Sequence, residues 1–118
     1  EKGALPRDVI KVPALAGGAG VKERYFYCQD CQRACSPSEK KEHKGHNIVK
    51  HPTQKPLELT RRLLMAAKPP EGGIIVVPFV GSGSELAVAK SLGMTGMGFE
   101  INETFIKIAN KMLEDVEV

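Results

Sequence analysis

Three observations predict that the second half of this chain is an α/β fold. Ile74 to Phe79 is an unbroken apolar run of strand length, the pattern of a strand buried on both faces of a parallel sheet. A glycine turn, Gly81-Ser82-Gly83, follows at once and opens into a helical pattern. Phe105, Ile108, Ala109, Met112, Leu113 and Val116 then recur with helical period near the C-terminus.

The elements follow in order. Pro56 suits the first turn of a helix, along which Leu59, Leu63, Ala66 and Ala67 share one face. Pro69-Pro70 and Gly72-Gly73 end it. After the strand over 74–79, a short helix over Leu86 to Leu92 stops at Gly93. A second strand covers Thr95 to Ile101, and Asn102 caps the last helix with Glu103 in its first turn. The order helix, strand, helix, strand, helix predicts two parallel strands joined by a right-handed crossover. That is part of a Rossmann-like sheet, spanning residues 51–118.

Residues 1–50 read differently. Pro6, Pro13, Pro37 and the run Ala16 to Gly20 predict an irregular segment with short strands only at Val9 to Val12 and Arg24 to Tyr27. Such a segment is not expected to bury a core of its own. Over the whole chain of 118 residues, 42% hydrophobic and 26% charged residues fit a soluble globular protein with one modest core. No apolar run approaches the ~20 residues of a membrane span. The net charge of +3 does not argue for nucleic-acid binding by itself. Its placement is more telling: Lys40, Lys41, Lys44, Lys50, Lys55, Arg61 and Arg62 crowd the middle of the chain.

A buried strand that runs into Pro78-Phe79-Val80-Gly81-Ser82-Gly83 and then a helix has the geometry of a nucleotide-type cofactor site. Glycine lets the backbone turn sharply and approach a ligand. Glu100, 17 residues after Gly83, ends the next strand, where a carboxylate can accept hydrogen bonds from both hydroxyls of a ribose. The loop lacks the third glycine of a dinucleotide fingerprint and the Gly-Lys-Ser/Thr of a P-loop, which argues against a dinucleotide or a triphosphate.

Three ordered motifs carry a family resemblance. His51-Pro52-Thr53-Gln54-Lys55-Pro56-Leu57-Glu58-Leu59, then Pro78-Phe79-Val80-Gly81-Ser82-Gly83-Ser84, then Gly98-Phe99-Glu100-Ile101-Asn102 resemble those of the DNA N6-adenine/N4-cytosine methyltransferases. The likeness covers residues 51–118. A looser likeness upstream involves Leu5 to Ile10, Val12-Pro13 and Lys22-Glu23-Arg24, and is similar to members with the catalytic motif first. The resemblance implies S-adenosylmethionine as cofactor. Thr53, Lys55 and Pro56 would line its methionine end, Phe79, Gly81 and Gly83 its body, and Glu100 its ribose, with Pro78, Ser82 and Asn102 beside them. It also implies DNA as partner, methyl transfer to an exocyclic amine, and a cytoplasmic, prokaryotic or phage-encoded setting.

Two departures stand out. Val77 replaces the acid that usually precedes Pro-Phe and meets the cofactor's positive methionyl group. The family's Asp/Asn/Ser-Pro-Pro-aromatic tetrapeptide, which grips the amine of a flipped base, does not occur in this chain, so no catalytic residue is assigned. The expectation is the cofactor-binding portion of a methyltransferase, completed by an N-terminal catalytic half or a partner chain, or paired with a second copy of itself. The competing readings are a catalytically inactive zinc-bearing DNA-binding module and a different Rossmann-type enzyme.

Finally, Cys28-x-x-Cys31 and, after eleven residues, His43-x-x-His46 present two thiolates and two imidazoles, a set suited to tetrahedral zinc. Cys35 is the alternative to either histidine.

Overall fold

The computed structural model describes residues 11–12 and 23–116. Of the expected strand at Val9 to Val12, the first two residues fall outside them, as does most of the looser upstream likeness, while Lys11 and Val12 are described and belong to no strand. The elements are β1 (Phe26–Cys28), β2 (Arg33–Cys35), a 3-10 helix (Pro37–His43), β3 (Ile48–Val49), α1 (Leu57–Ala66), β4 (Ile74–Val77), α2 (Ser84–Ser91), β5 (Thr95–Gly98) and α3 (Glu103–Asp115). The architecture is α/β, with a parallel pair and a small antiparallel sheet.

In the parallel pair Ile74 lies opposite Thr95, and Val77 opposite Gly98. Hydrogen bonding continues past the strands: Phe99 N donates to Val77 O, and Val80 N donates to Phe99 O, each at 3.0 Å. The loop after β4 and the residues after β5 are therefore laced together. On one face, Val77 and Val80 pack against Ala109 of α3, with Ile75 and Leu86 alongside. The other face is open. Ile74, Val76 and Met97 are each about half exposed or more, at 52%, 56% and 49%. The expectation of a strand buried on both faces is thus corrected. The parallel sheet has two strands among the described residues, and the helices that pack on them reach only one side.

Helix α1 begins after Pro56, as expected. Its apolar face is less sheltered than its period suggests, since Leu63 is 52% exposed and Thr60 is its one buried residue. Helix α2 starts two residues earlier than expected, at Ser84, and ends before Gly93, whose φ of +73° suits the left-handed position after a helix. Asn102 caps α3 by accepting a hydrogen bond from Phe105 N at 3.0 Å. Ile108, Ala109 and Met112 are the buried part of the α3 stripe.

The larger correction lies upstream. Residues 26–49 are not irregular but form a three-stranded antiparallel sheet in the order β2-β1-β3. The expected strand at Arg24 to Tyr27 is shifted to Phe26–Cys28. Phe26, Cys28 and Cys35 are fully buried, and Ile48 packs on them. The sheet leans on α3: Tyr25 donates its hydroxyl proton to Asp115 at 2.7 Å, and Lys107 Nζ sits 5.3 Å from the centre of the Tyr27 ring. Strands of two or three residues are too short to print an alternating pattern, and part of what covers them comes from 80 to 90 residues downstream in sequence, so the period of the segment alone conceals them.

Candidate functional site

The loop between β4 and α2 is held by backbone conformation. Gly81 has φ of +61° and Gly83 of +92°, a region that side chains disfavour. Both are also crowded. A Cβ on Gly81 would stand 2.8 Å from His51 Nε2, and one on Gly83 would stand 2.7 Å from the Cβ of Ala109. Ser82 and Ser84 are buried within the same turn.

Glu100 is fastened to this loop. Its Oε1 accepts from Gly81 N at 2.9 Å and its Oε2 from Asn102 N at 2.8 Å. The amides of Asn102, Gly81 and Ile101 hold its carboxyl below the usual carboxylate range, against the opposing effect of partial desolvation. The group is therefore anionic at neutral pH. A carboxylate has roughly four lone-pair sites, so two backbone donors leave acceptor capacity for further partners.

The His51-Pro52-Thr53 segment lies across the turn. The His51 ring packs on Phe105, centroids 4.8 Å apart, and Thr53 N donates to His51 Nδ1 at 3.3 Å. Burial pushes the His51 pKa down, more than the nearby Glu100 raises it. Lys55 Nζ pairs with Glu85 in the first turn of α2 at 2.9 Å, and Pro56 precedes α1. Thr53 is exposed.

A cavity of about 490 Å³ opens at the carboxyl ends of β4 and β5, lined by Pro78, Phe79, Phe99, Glu100 and Ile101 with Ile106 and Asn110 of α3. Of the residues singled out from sequence, Pro78, Phe79 and Glu100 line it. Gly81, Ser82, Gly83 and Asn102 adjoin it through Glu100 and the loop, Thr53 and Lys55 reach the loop through His51 and Glu85, and Pro56 stands at the start of α1. Phe79 is 87% exposed, a large ring held out toward solvent. Val77, in contrast, is buried beside Val80 and Ala109. Three neighbours escaped the sequence reading: His51 as a loop contact, Phe105 beneath it, and Glu85 as the partner of Lys55. Phe105 reads as one more core residue of its stripe, and nothing local signals a pair separated by thirty residues.

The Cys/His residues form a second cluster. The ligand atoms of Cys28, Cys31, His43 and His46 all lie within 4.8 Å of one another. Cys28 ends β1, and Cys31 sits in the tight turn to β2, where Gln32 takes φ of +55°. The turn is clamped to the histidine loop: Gln29 N donates to Asn47 O at 2.8 Å, and Asn47 N to Asp30 Oδ2 at 2.7 Å. His43 closes the 3-10 helix, is buried, and meets the Phe26 ring edge-on at 5.5 Å. Cys35 Sγ lies outside the four-atom group, 3.4 Å from His43 Nε2. Lys40, Lys41 and Lys44 are exposed around it.

Residues 20–111 match the profile of a family described as DNA methylase. The type II methyltransferase M.HpaI of Haemophilus parainfluenzae is 35% identical over 99 residues, covering 80% of this chain and 31% of that protein. M2.DpnII of Streptococcus pneumoniae is 48% identical over 65 residues, covering 55% of this chain and 24% of the relative. M2.LlaDCHI of Lactococcus lactis subsp. cremoris is 44% identical over 64 residues, covering 54% and 23%. The chain thus spans about a quarter to a third of the length of the relatives it matches. With most of its length inside the family profile, the chain belongs to the DNA methylase family.

Proposed function

We propose that residues 51–118 are the S-adenosylmethionine-binding half-domain, with a partial Rossmann-like sheet, of a methyltransferase acting on adenine N6 or cytosine N4 in DNA. The observation that carries this reading is Glu100. An anionic carboxylate is fixed beside a glycine turn at the carboxyl end of a parallel strand pair, with acceptor capacity left for ribose hydroxyls. The 490 Å³ cavity beside it has apolar walls for an adenine, among them Phe79 and Phe99. Gly81, Ser82 and Gly83 bring the backbone close to the cofactor, Pro78 and Asn102 shape the two ends of the site, and Thr53, Lys55 and Pro56 face its methionine end.

The methyl-accepting side of the reaction needs more than this chain supplies. No Asp/Asn/Ser-Pro-Pro-aromatic tetrapeptide is present to grip a flipped base. The chain alone is therefore inactive in methyl transfer, and a segment or partner chain that carries the tetrapeptide completes the enzyme. The open apolar face at Ile74, Val76 and Met97 is a surface such a unit can cover, as is a second copy of this chain. Lys40, Lys41 and Lys44 can meet backbone phosphates and position DNA without reading its sequence. Among the described residues no helix is long and apolar enough to cross a membrane, and the setting we propose is the cytoplasm of a bacterium, as part of a restriction-modification system. The buried Val77 supports a second reading, in which cofactor binding is weak and a zinc-bearing basic segment contacts DNA without chemistry.

Ligand-induced stabilisation separates the readings. A ligand present at about 100 times its Kd stabilises the folded state by about 2.7 kcal/mol. We expect a rise in melting temperature of several degrees with S-adenosylmethionine and none with NAD or ATP. A rise with NAD instead, or with none of the three, would overturn the proposal.

A further inference from the structure

We infer that the Cys/His cluster is a closed, structural zinc centre whose four ligands are Cys28 Sγ, Cys31 Sγ, His43 Nδ1 and His46 Nδ1, with Cys35 excluded from the coordination sphere. The inference is independent of the cofactor reading and rests on interatomic distances. A zinc ion with Zn–S of about 2.3 Å and Zn–N of 2.0–2.1 Å, in tetrahedral geometry, places sulfur and nitrogen ligands about 3.6 Å apart. The structure has Cys28 Sγ 3.4 Å from His46 Nδ1, Cys31 Sγ 3.5 Å from His43 Nδ1, and Cys31 Sγ 3.6 Å from His46 Nδ1. Three of the six edges thus have the length such a tetrahedron requires, and all four ligand atoms, from residues up to 18 positions apart, lie within 4.8 Å of one another.

The orientation of the rings points the same way. Both imidazoles turn Nδ1, not Nε2, toward the Cys28 and Cys31 sulfurs. His43 Nε2 faces away, toward Cys35 Sγ at 3.4 Å and Arg33 Nη2 at 3.2 Å. With Nδ1 given to a metal, the remaining ring proton sits on Nε2, and of its two neighbours only the Cys35 sulfur can accept it, since the Arg33 guanidinium has donors only. Cys35 therefore touches the ligand histidine from behind and cannot reach the ion that His43 Nδ1 would hold. This settles the choice left open by five candidate ligands in the sequence.

Chemistry selects the metal. Two thiolates and two imidazoles in a tetrahedral set are a zinc donor set, whereas calcium and magnesium take oxygen ligands. All four positions come from protein, so no site is left for water or substrate and the ion's role is structural. That role is physically needed. The antiparallel sheet has strands of only two or three residues, and of its fully buried side chains Phe26, Cys28 and Cys35, one is itself a ligand. Ordering four ligands together couples metal binding to folding of this sheet.

The test is metal content and X-ray absorption on the whole chain. We expect about one zinc per chain with two sulfurs and two nitrogens around it, and tetrahedral ligand-field bands after replacement by cobalt(II). Cys28→Ser should abolish stoichiometric binding. Cys35→Ser and Cys35→Ala should both retain one zinc with the two-sulfur shell. A three-sulfur shell in the unmodified protein, or its reduction by one sulfur in the Cys35 variants, would overturn the ligand assignment. Absence of metal from protein prepared with zinc would overturn the centre itself. The unmodified chain decides both points even if a Cys35 variant fails to fold.

Discussion

Replacing Gly83 by alanine probes the turn on which the proposed cofactor site depends. Two effects add. At φ of +92° an L-residue is strained, by roughly 1–2 kcal/mol for a left-handed conformation. The new Cβ would also lie 2.7 Å from the Cβ and 2.9 Å from the Cα of Ala109 on α3. A methyl forced into a packed contact of that kind typically costs about 1–3 kcal/mol. Against these stands about 0.4–1 kcal/mol gained from the less flexible unfolded chain. The net destabilisation should be about 1–4.6 kcal/mol. Gly93→Ala is the matched control, because Gly93 has φ of +73° but nothing within 4 Å of the added atom. It should retain the strain alone, net roughly 0–1.6 kcal/mol. Chemical denaturation of both variants, with the slopes compared to confirm two-state behaviour, measures the difference. If Gly83→Ala is no less stable than Gly93→Ala, the close approach of α3 to the turn is wrong.

Two further perturbations address the cover of the loop. His51 is held below its ordinary value near 6.5 by burial, so the fold prefers the neutral ring. Its contribution to stability is then fully present above that value and is lost as pH falls toward the folded one. The loss of melting temperature between pH 7 and pH 5 should be smaller in His51→Gln than in the unmodified protein; an equal loss would remove His51 from the buried contact. Lys55→Ala breaks an ion pair whose lysine side chain is 60% exposed, a type of pair that contributes about 0–1 kcal/mol. Melting should hardly change while affinity for S-adenosylmethionine falls, and a large loss of stability with unchanged affinity would make Lys55 structural.

How much was legible in the sequence depended on whether a signal was local. The two parallel strands, the helix stop at Gly93 and the Asn102 cap were each announced within a few residues, because glycine conformation and capping are local effects. The gathering of Cys28, Cys31, His43 and His46 was legible as well, since their spacing is that of two short knuckles. The antiparallel sheet was not, for its strands are shorter than one period of alternation and it leans on α3. The open face of β4 was also hidden. An apolar run reports what a strand is suited to bury, whereas Ile74 and Val76 have no cover among the described residues. Likewise, the glycines of the loop announced a turn, but the contact of His51 with Gly81 joins residues thirty positions apart and exists only in three dimensions.

The most direct test of cofactor binding is calorimetric titration of S-adenosylmethionine into the unmodified chain and into Glu100→Ala. Both oxygens of Glu100 are already engaged by backbone amides of the site, at 2.9 and 2.8 Å, and ribose hydroxyls would add to them. Removing a charged acceptor of this kind weakens binding by about 1–3 kcal/mol, or roughly 5- to 150-fold in Kd. We expect saturable binding at one site in the unmodified chain and a loss of that size in the variant. Equal affinity in the two proteins, or no heat of binding in either, would contradict the assignment of Glu100 and its loop as the cofactor site.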